Sequence, residues 1–117
     1  MLDTETMATM MREFLDTQCM RIFEAKNKAY AQTHRTQDGL SNFYEEADAI
    51  GIDVDQYWRV LWGKHKRALE TYIRTGESPA PIYKIICDLI VYELIFYCLE
   101  VDAGRVDHEA VVTDTSN

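Results

Sequence analysis

Residues 82–101 read Ile-Tyr-Lys-Ile-Ile-Cys-Asp-Leu-Ile-Val-Tyr-Glu-Leu-Ile-Phe-Tyr-Cys-Leu-Glu-Val. One stripe of this segment, Ile85, Asp88, Tyr92, Ile95 and Leu99, steps by three or four residues, the spacing of a single helix face. A second face carries Ile82, Ile86, Leu89, Ile90, Phe96 and Tyr97. A helix that is apolar on both sides is buried on both sides. Lys84, Asp88, Glu93 and Glu100 interrupt it with too much charge for a membrane span. A bundle made by 117 residues can hardly surround such a helix. The pattern therefore predicts a homo-oligomer, dimer or higher, packed along this segment.

Outward from this segment, the rest of the chain reads as more helices. Ser78 is placed to cap the segment's helix, with Pro79 in the first turn and Gly104 as its stop, so the helix should end at about Ala103. Upstream, a third helix should begin at the cap Asp53, with Gln56 completing a capping box, and stop at Gly76. Its stripe is Val54, Trp58, Leu61, His65, Leu69 and Tyr72. A short second helix, Leu40 to Ile50, aligns Leu40, Phe43, Ala47 and Ile50 and stops at Gly51. The first helix, from about Thr4 to about Gln32, carries Met11, Leu15, Cys19, Ile22, Lys26 and Tyr30 on one stripe, and the polar run 34–39 ends it. The expected fold is all-α: an antiparallel bundle of about four helices, oligomerising through the C-terminal helix. Residues 1–104 form the single domain. Residues 105–117 form a polar, flexible tail with one apolar patch, Val111-Val112.

The net charge of −8 argues against non-specific nucleic-acid binding, which needs a cationic face to displace phosphate counterions. It leaves room for a small anionic ligand, because a pocket needs positive charge only locally. Cys19, Cys87 and Cys98 are odd in number, widely spaced and set in apolar helical contexts. They read as reduced core thiols, without a zinc pattern. No basic region followed by an apolar block opens the chain, so the expected location is the cytoplasm.

The three long helices share one irregularity: each apolar stripe contains a polar residue, Lys26, His65 or Asp88. Burying such groups costs several kcal/mol unless they are paired, so they should meet each other or a ligand. Tyr30 and Tyr92 follow Lys26 and Asp88 by one turn, and Asn27, Lys28, Lys64 and Arg67 lie beside these positions. A cavity with cationic and hydrogen-bonding groups on an aromatic wall suits a phosphate-bearing nucleotide. Each residue also has a plainer reading. Lys26 can lay its stem on the core with its ammonium in water. His65 can be a satisfied core histidine, Asp88 can pair with Lys84 or Lys26, and the aromatic side chains can be simple core. A metal site has less support. Glu45, Glu46 and Asp48 crowd the second helix, and the pair Glu45 and Asp48 reads as a solvated face. No nucleophilic triad and no phosphate-cradling glycine loop is visible.

Lys26-Asn27-Lys28-Ala29-Tyr30, Gly39-Leu40-Ser41-Asn42-Phe43, Lys64-His65 and Asp88-Leu89-Ile90-Val91-Tyr92 form an ordered set of short motifs. The set resembles the phage-encoded nucleotide-modification-associated domain family, small all-α proteins distantly similar to MazG-like nucleotide pyrophosphohydrolases. The resemblance spans roughly residues 14 to 100. It implies phage or prophage origin, a helical oligomer and a nucleotide-type ligand. By motif position it points to Lys26, Asn27, Tyr30, Asn42, Phe43, His65, Asp88 and Tyr92 as ligand-binding residues. Two departures bear on chemistry. Ala29 stands where family members often carry an acidic residue, and the acidic metal-binding pairs of the pyrophosphohydrolases are missing. Binding without turnover is therefore the leading expectation: a nucleotide or nucleotide-derived molecule, held for metabolism or to sequester a host defence signal. No cofactor is expected. A Mg2+-dependent nucleotide pyrophosphohydrolase is the first alternative. An acidic interaction protein that inhibits a host nucleic-acid-binding enzyme is the second.

Overall fold

Three glycines punctuate the chain as backbone sterics require. Gly51, Gly76 and Gly104 have φ of 75°, 76° and 78°, and each follows the end of a helix. A residue with a Cβ is strained in this left-handed region, which is why glycine closes helices there. A computed structural model describes residues 1–34 and 40–116, without the side chains of 27 and 29–34. The elements are α1 (Thr4–Phe14), a π-helical segment (Leu15–Met20), α2 (Arg21–His34), α3 (Ser41–Ile50), α4 (Val54–Thr75), α5 (Ile82–Asp102) and α6 (His108–Thr113). The protein is all-helical, with no strand among the described residues. No helix among them is long and apolar enough to cross a membrane.

The expected first helix is one rod in three parts, α1, the π segment and α2. Widening the turn at Leu15–Met20 moves the downstream faces relative to the upstream ones. Met11 and Leu15 are 58% and 38% exposed, whereas Cys19 is fully buried. The expected single stripe through Met11, Leu15 and Cys19 is therefore split at this segment. Thr17 Oγ1 donates to the Glu13 carbonyl at 2.7 Å, but Thr9 does the same to Glu5 in regular α1, so that bond alone does not explain the π turn.

Asp53 caps α4 as expected, accepting from the Asp55 amide at 3.2 Å. The start of α5 differs from expectation. Ser78 does not cap it. Its hydroxyl instead donates to the Ala80 carbonyl, and the helix begins only after Pro81. The cause is the pair Pro79 and Pro81: the residue before a proline is driven out of the helical region, so Ala80 cannot belong to a first turn.

α4 and α5 pack antiparallel, with Trp58 against Tyr92 and Phe96 and His65 against Asp88. The Trp58 and Phe96 rings are 4.5 Å apart, and Trp62 stacks on Trp58 at 5.5 Å. α3 lies on α4, with Phe43 edge-on to Tyr57 at 6.2 Å. On its other side α5 meets the π segment, where the Cys87 thiol donates to the Gln18 carbonyl at 3.3 Å. α5 is thus the central element, and the small core of Cys19, Phe43, Ala47, Ile85, Cys87 and Leu99 gathers around it. Cys98, expected in that core, is exposed, because no helix among the described residues covers the face of α5 that carries it.

The segment after Gly104, expected to be flexible, contains α6 and is tied back at two points. Asp107 caps α6, and His108 Nδ1 is hydrogen-bonded to Tyr97 Oη at 2.7 Å. Arg105 lies 3.1 Å from Glu100 and 3.6 Å from Asp55, reaching the start of α4.

Candidate functional site

Between α2, α3, α4 and α5 opens a cavity of about 390 Å³. Its polar and aromatic lining comes from Lys26 of α2, Asn42 and Phe43 of α3, His65 of α4, and Asp88 and Tyr92 of α5. Its apolar floor is Ile22, Phe23, Cys87, Val91 and Ile95. Each position follows from helical phase. Asp88 and Tyr92 are one turn apart on α5, and the antiparallel pairing with α4 sets His65 opposite both. Phe43 is buried at the start of α3, which directs Asn42 beside it to the cavity rim.

His65 Nδ1 is 3.5 Å from Asp88 Oδ2, and the side chains are 24% and 39% exposed. The His65 ring is 5.0 Å from that of Tyr92, tilted by 31°, and Phe43 meets Tyr92 edge-on at 6.4 Å. These three rings form an aromatic wall. Burial, then the Asp88 charge and then Tyr57 push the Tyr92 phenol above its usual range, so it stays protonated and can donate. Trp58 Nε1 donates to the Tyr92 carbonyl at 2.6 Å and fixes the backbone behind that ring. Lys26 is exposed at the mouth and makes no ion pair with the described residues.

Six of the residues singled out in the sequence, Lys26, Asn42, Phe43, His65, Asp88 and Tyr92, therefore share one cavity. The side chains of Asn27 and Tyr30 lie outside the described residues. Lys28, Lys64 and Arg67 are exposed and do not line the cavity. Successive helix positions turn by about 100°, so a His65 that faces inward carries Lys64 to the flank and Arg67 to the far side. No charged side chain among the described residues is buried: Lys26, His65 and Asp88 all open onto the cavity, and the pair that forms, His65 with Asp88, is partly exposed there and not in a dry core. No periodicity in the sequence marks the Trp58 bond to Tyr92 or the approach of Cys19 to Cys87. Cys19 sits against Cys87 of the floor, where burial first and the neighbouring Cys87 thiol second push the Cys19 thiol up to about 11.

These side chains suit an anion at Lys26, a donor group facing the accepting Asp88 carboxylate, and hydrogen bonding at Tyr92 and Asn42, with a flat ring on the wall between them. Among the described residues there is no group of three or more His, Cys, Asp or Glu able to hold a metal ion. Glu45, Glu46 and Asp48 are all exposed on α3. No family model, curated protein or solved structure matches this chain.

Proposed function

We propose that the chain binds a nucleotide or nucleotide-derived small molecule in this cavity, as a homo-oligomer assembled along α5, and holds it without turnover. The observation that carries this reading is the meeting of Lys26, Asn42, Phe43, His65, Asp88 and Tyr92, from four helices, around one volume of about 390 Å³. That volume falls in the usual range for small-molecule sites. The anion goes to Lys26, whose ammonium has no carboxylate partner among the described residues. A base lies against Phe43, His65 and Tyr92, and Asp88 accepts from its amino group or from a sugar hydroxyl. The phosphate end sits away from Asp88, since two anions side by side repel. The resemblance to the phage nucleotide-modification-associated proteins supports the same ligand class. It also suggests a setting, the host cytoplasm, where the bound molecule is a metabolite or a defence signal.

Calorimetric titration of a nucleotide panel tests this, together with analysis of the titrated solution for products, with and without Mg2+. Saturable binding with the nucleotide recovered intact is the expected result. Lys26→Ala should weaken the tightest ligand by about 1.5–3 kcal/mol, the range of a charge-assisted hydrogen bond, with an unchanged melting temperature. Mg2+-dependent product formation would replace the binding protein with a pyrophosphohydrolase. An absence of binding across the panel would overturn the reading.

A further inference from the structure

The surface of the chain is too large for its length. Its accessible area is 8909 Å², while a compact monomer of 13.6 kDa exposes about 6,600 Å². The Cα radius of gyration is 16.4 Å, against about 13.4 Å for a compact domain of this length. The excess, about 2,300 Å², is more than the roughly 800 Å² that each partner contributes to a standard stable interface.

Two apolar surfaces lie within this exposed area. One is α1, which buries none of its residues and presents Met7, Met10 and Met11, continued by Leu15 in the π segment, at 40%, 50%, 58% and 38% exposure. The spacing i, i+3, i+4, i+8 puts all four on one face up to the π turn. The other is a groove of about 220 Å³ between the rod and α5, walled by Met20, Phe23, Val91, Leu94, Ile95 and Cys98. We propose that this groove receives the methionine face of α1 from a second copy of the chain, reciprocally, so that two copies bury both surfaces twice. The inference rests on the self-assembly proposed above and assigns the element that fills the interface.

α1 cannot fill its own groove. It is continuous with the helical rod whose Met20 forms the groove wall, and at about 1.5 Å per residue Met10 lies some 15 Å further along the axis. A second copy related by a two-fold axis removes that restriction and presents the same pair of surfaces from both sides. Methionine suits the task, since its unbranched thioether adapts to an irregular groove. The arrangement also reaches the ligand cavity. Phe23, Val91 and Ile95 line both the cavity and the groove, so a partner helix seated in the groove packs on the back of the cavity floor.

The test measures mass by light scattering across a dilution series for wild type, Met10→Glu and Leu94→Glu. Circular dichroism confirms helicity in each, and both positions are exposed, so folding of the single chain should survive. The expected result is a wild-type dimer whose dissociation constant rises by roughly a hundredfold in either variant, because each buries a carboxylate in an apolar contact. In Met10→Cys, a short bismaleimide should link position 10 of one copy to Cys98 of the other. A wild-type oligomer that both variants leave intact, or linkage of Cys98 only to Cys98, overturns the α1 assignment while self-assembly stands. A monomeric wild type at tens of micromolar overturns both. Neither result depends on nucleotide binding.

Discussion

The α4–α5 pair and the α1 arm start from the same kind of sequence signal, an apolar stripe at helical spacing, and end differently. In α4–α5 each stripe finds its complement within the chain: Trp58 lies on Phe96, His65 on Tyr92, and Leu99 is 1% exposed. In α1 the equivalent stripe, Met7, Met10 and Met11, meets solvent. An amphipathic pattern specifies a face that needs covering. It does not specify which chain supplies the cover. The loop from Gly76 to Pro81 is short enough to fold α5 straight back on α4, whereas the continuous rod carries α1 away from the groove that Met20 and Phe23 form with α5.

Truncation on each side should separate the two regions most strongly. Leu99→Ala should cost about 2–5 kcal/mol in urea unfolding, the usual penalty for a core leucine, at every protein concentration. Met11→Ala should lower stability only where the chain is assembled, so its effect should disappear on dilution. A concentration-independent loss at Met11 would show that α1 is covered within its own chain.

Alkaline titration gives a smaller contrast. The native Cys19 thiol holds its proton up to about 11, whereas an ordinary thiol releases it near 9.0. Between these values the native state binds more protons than the unfolded one, so stability is full below about pH 9 and falls as pH rises. Tyr92, raised above 10.0, acts in the same direction at slightly higher pH. Urea midpoints measured from pH 8 to 11 should decline, and Cys19→Ala should flatten the part between 9 and 11. An unchanged slope in that variant would place the alkaline weakness elsewhere.

The smallest effect belongs to a single bond. Trp58→Phe keeps a ring beside Phe96 but removes the donor to the Tyr92 carbonyl. It should cost about 0.5–1.5 kcal/mol in the same unfolding experiment, because the exchange is for one neutral hydrogen bond. A loss several times larger would mean that the indole supports the α4–α5 pair through packing more than through this bond.

Much of this architecture was legible in the sequence. The helices were marked by period, their ends by Gly51, Gly76 and Gly104, and the start of α4 by Asp53. Lys26, His65 and Asp88 stood out because each broke a stripe, and three-dimensional proximity then followed from helical phase. What escaped was whatever depends on detail finer than period. The π turn has no compositional mark, and it changed which residues of the rod share a face. Ser78 carried a capping signature that two prolines overrode. Cys98 matched a core pattern but faced the uncovered side of α5. The ties of the last segment, Tyr97 with His108 and Arg105 with Asp55, join polar residues that no periodicity connects.

Native mass spectrometry of the protein purified directly from cells tests the central claim most directly, since it reports stoichiometry and retained ligand in one spectrum. The expected spectrum is an oligomer carrying a nucleotide-sized mass that Lys26→Ala loses while keeping its assembly state. An unliganded wild-type chain that stays unliganded when a nucleotide panel is added, or a ligand retained equally by Lys26→Ala, would contradict the account.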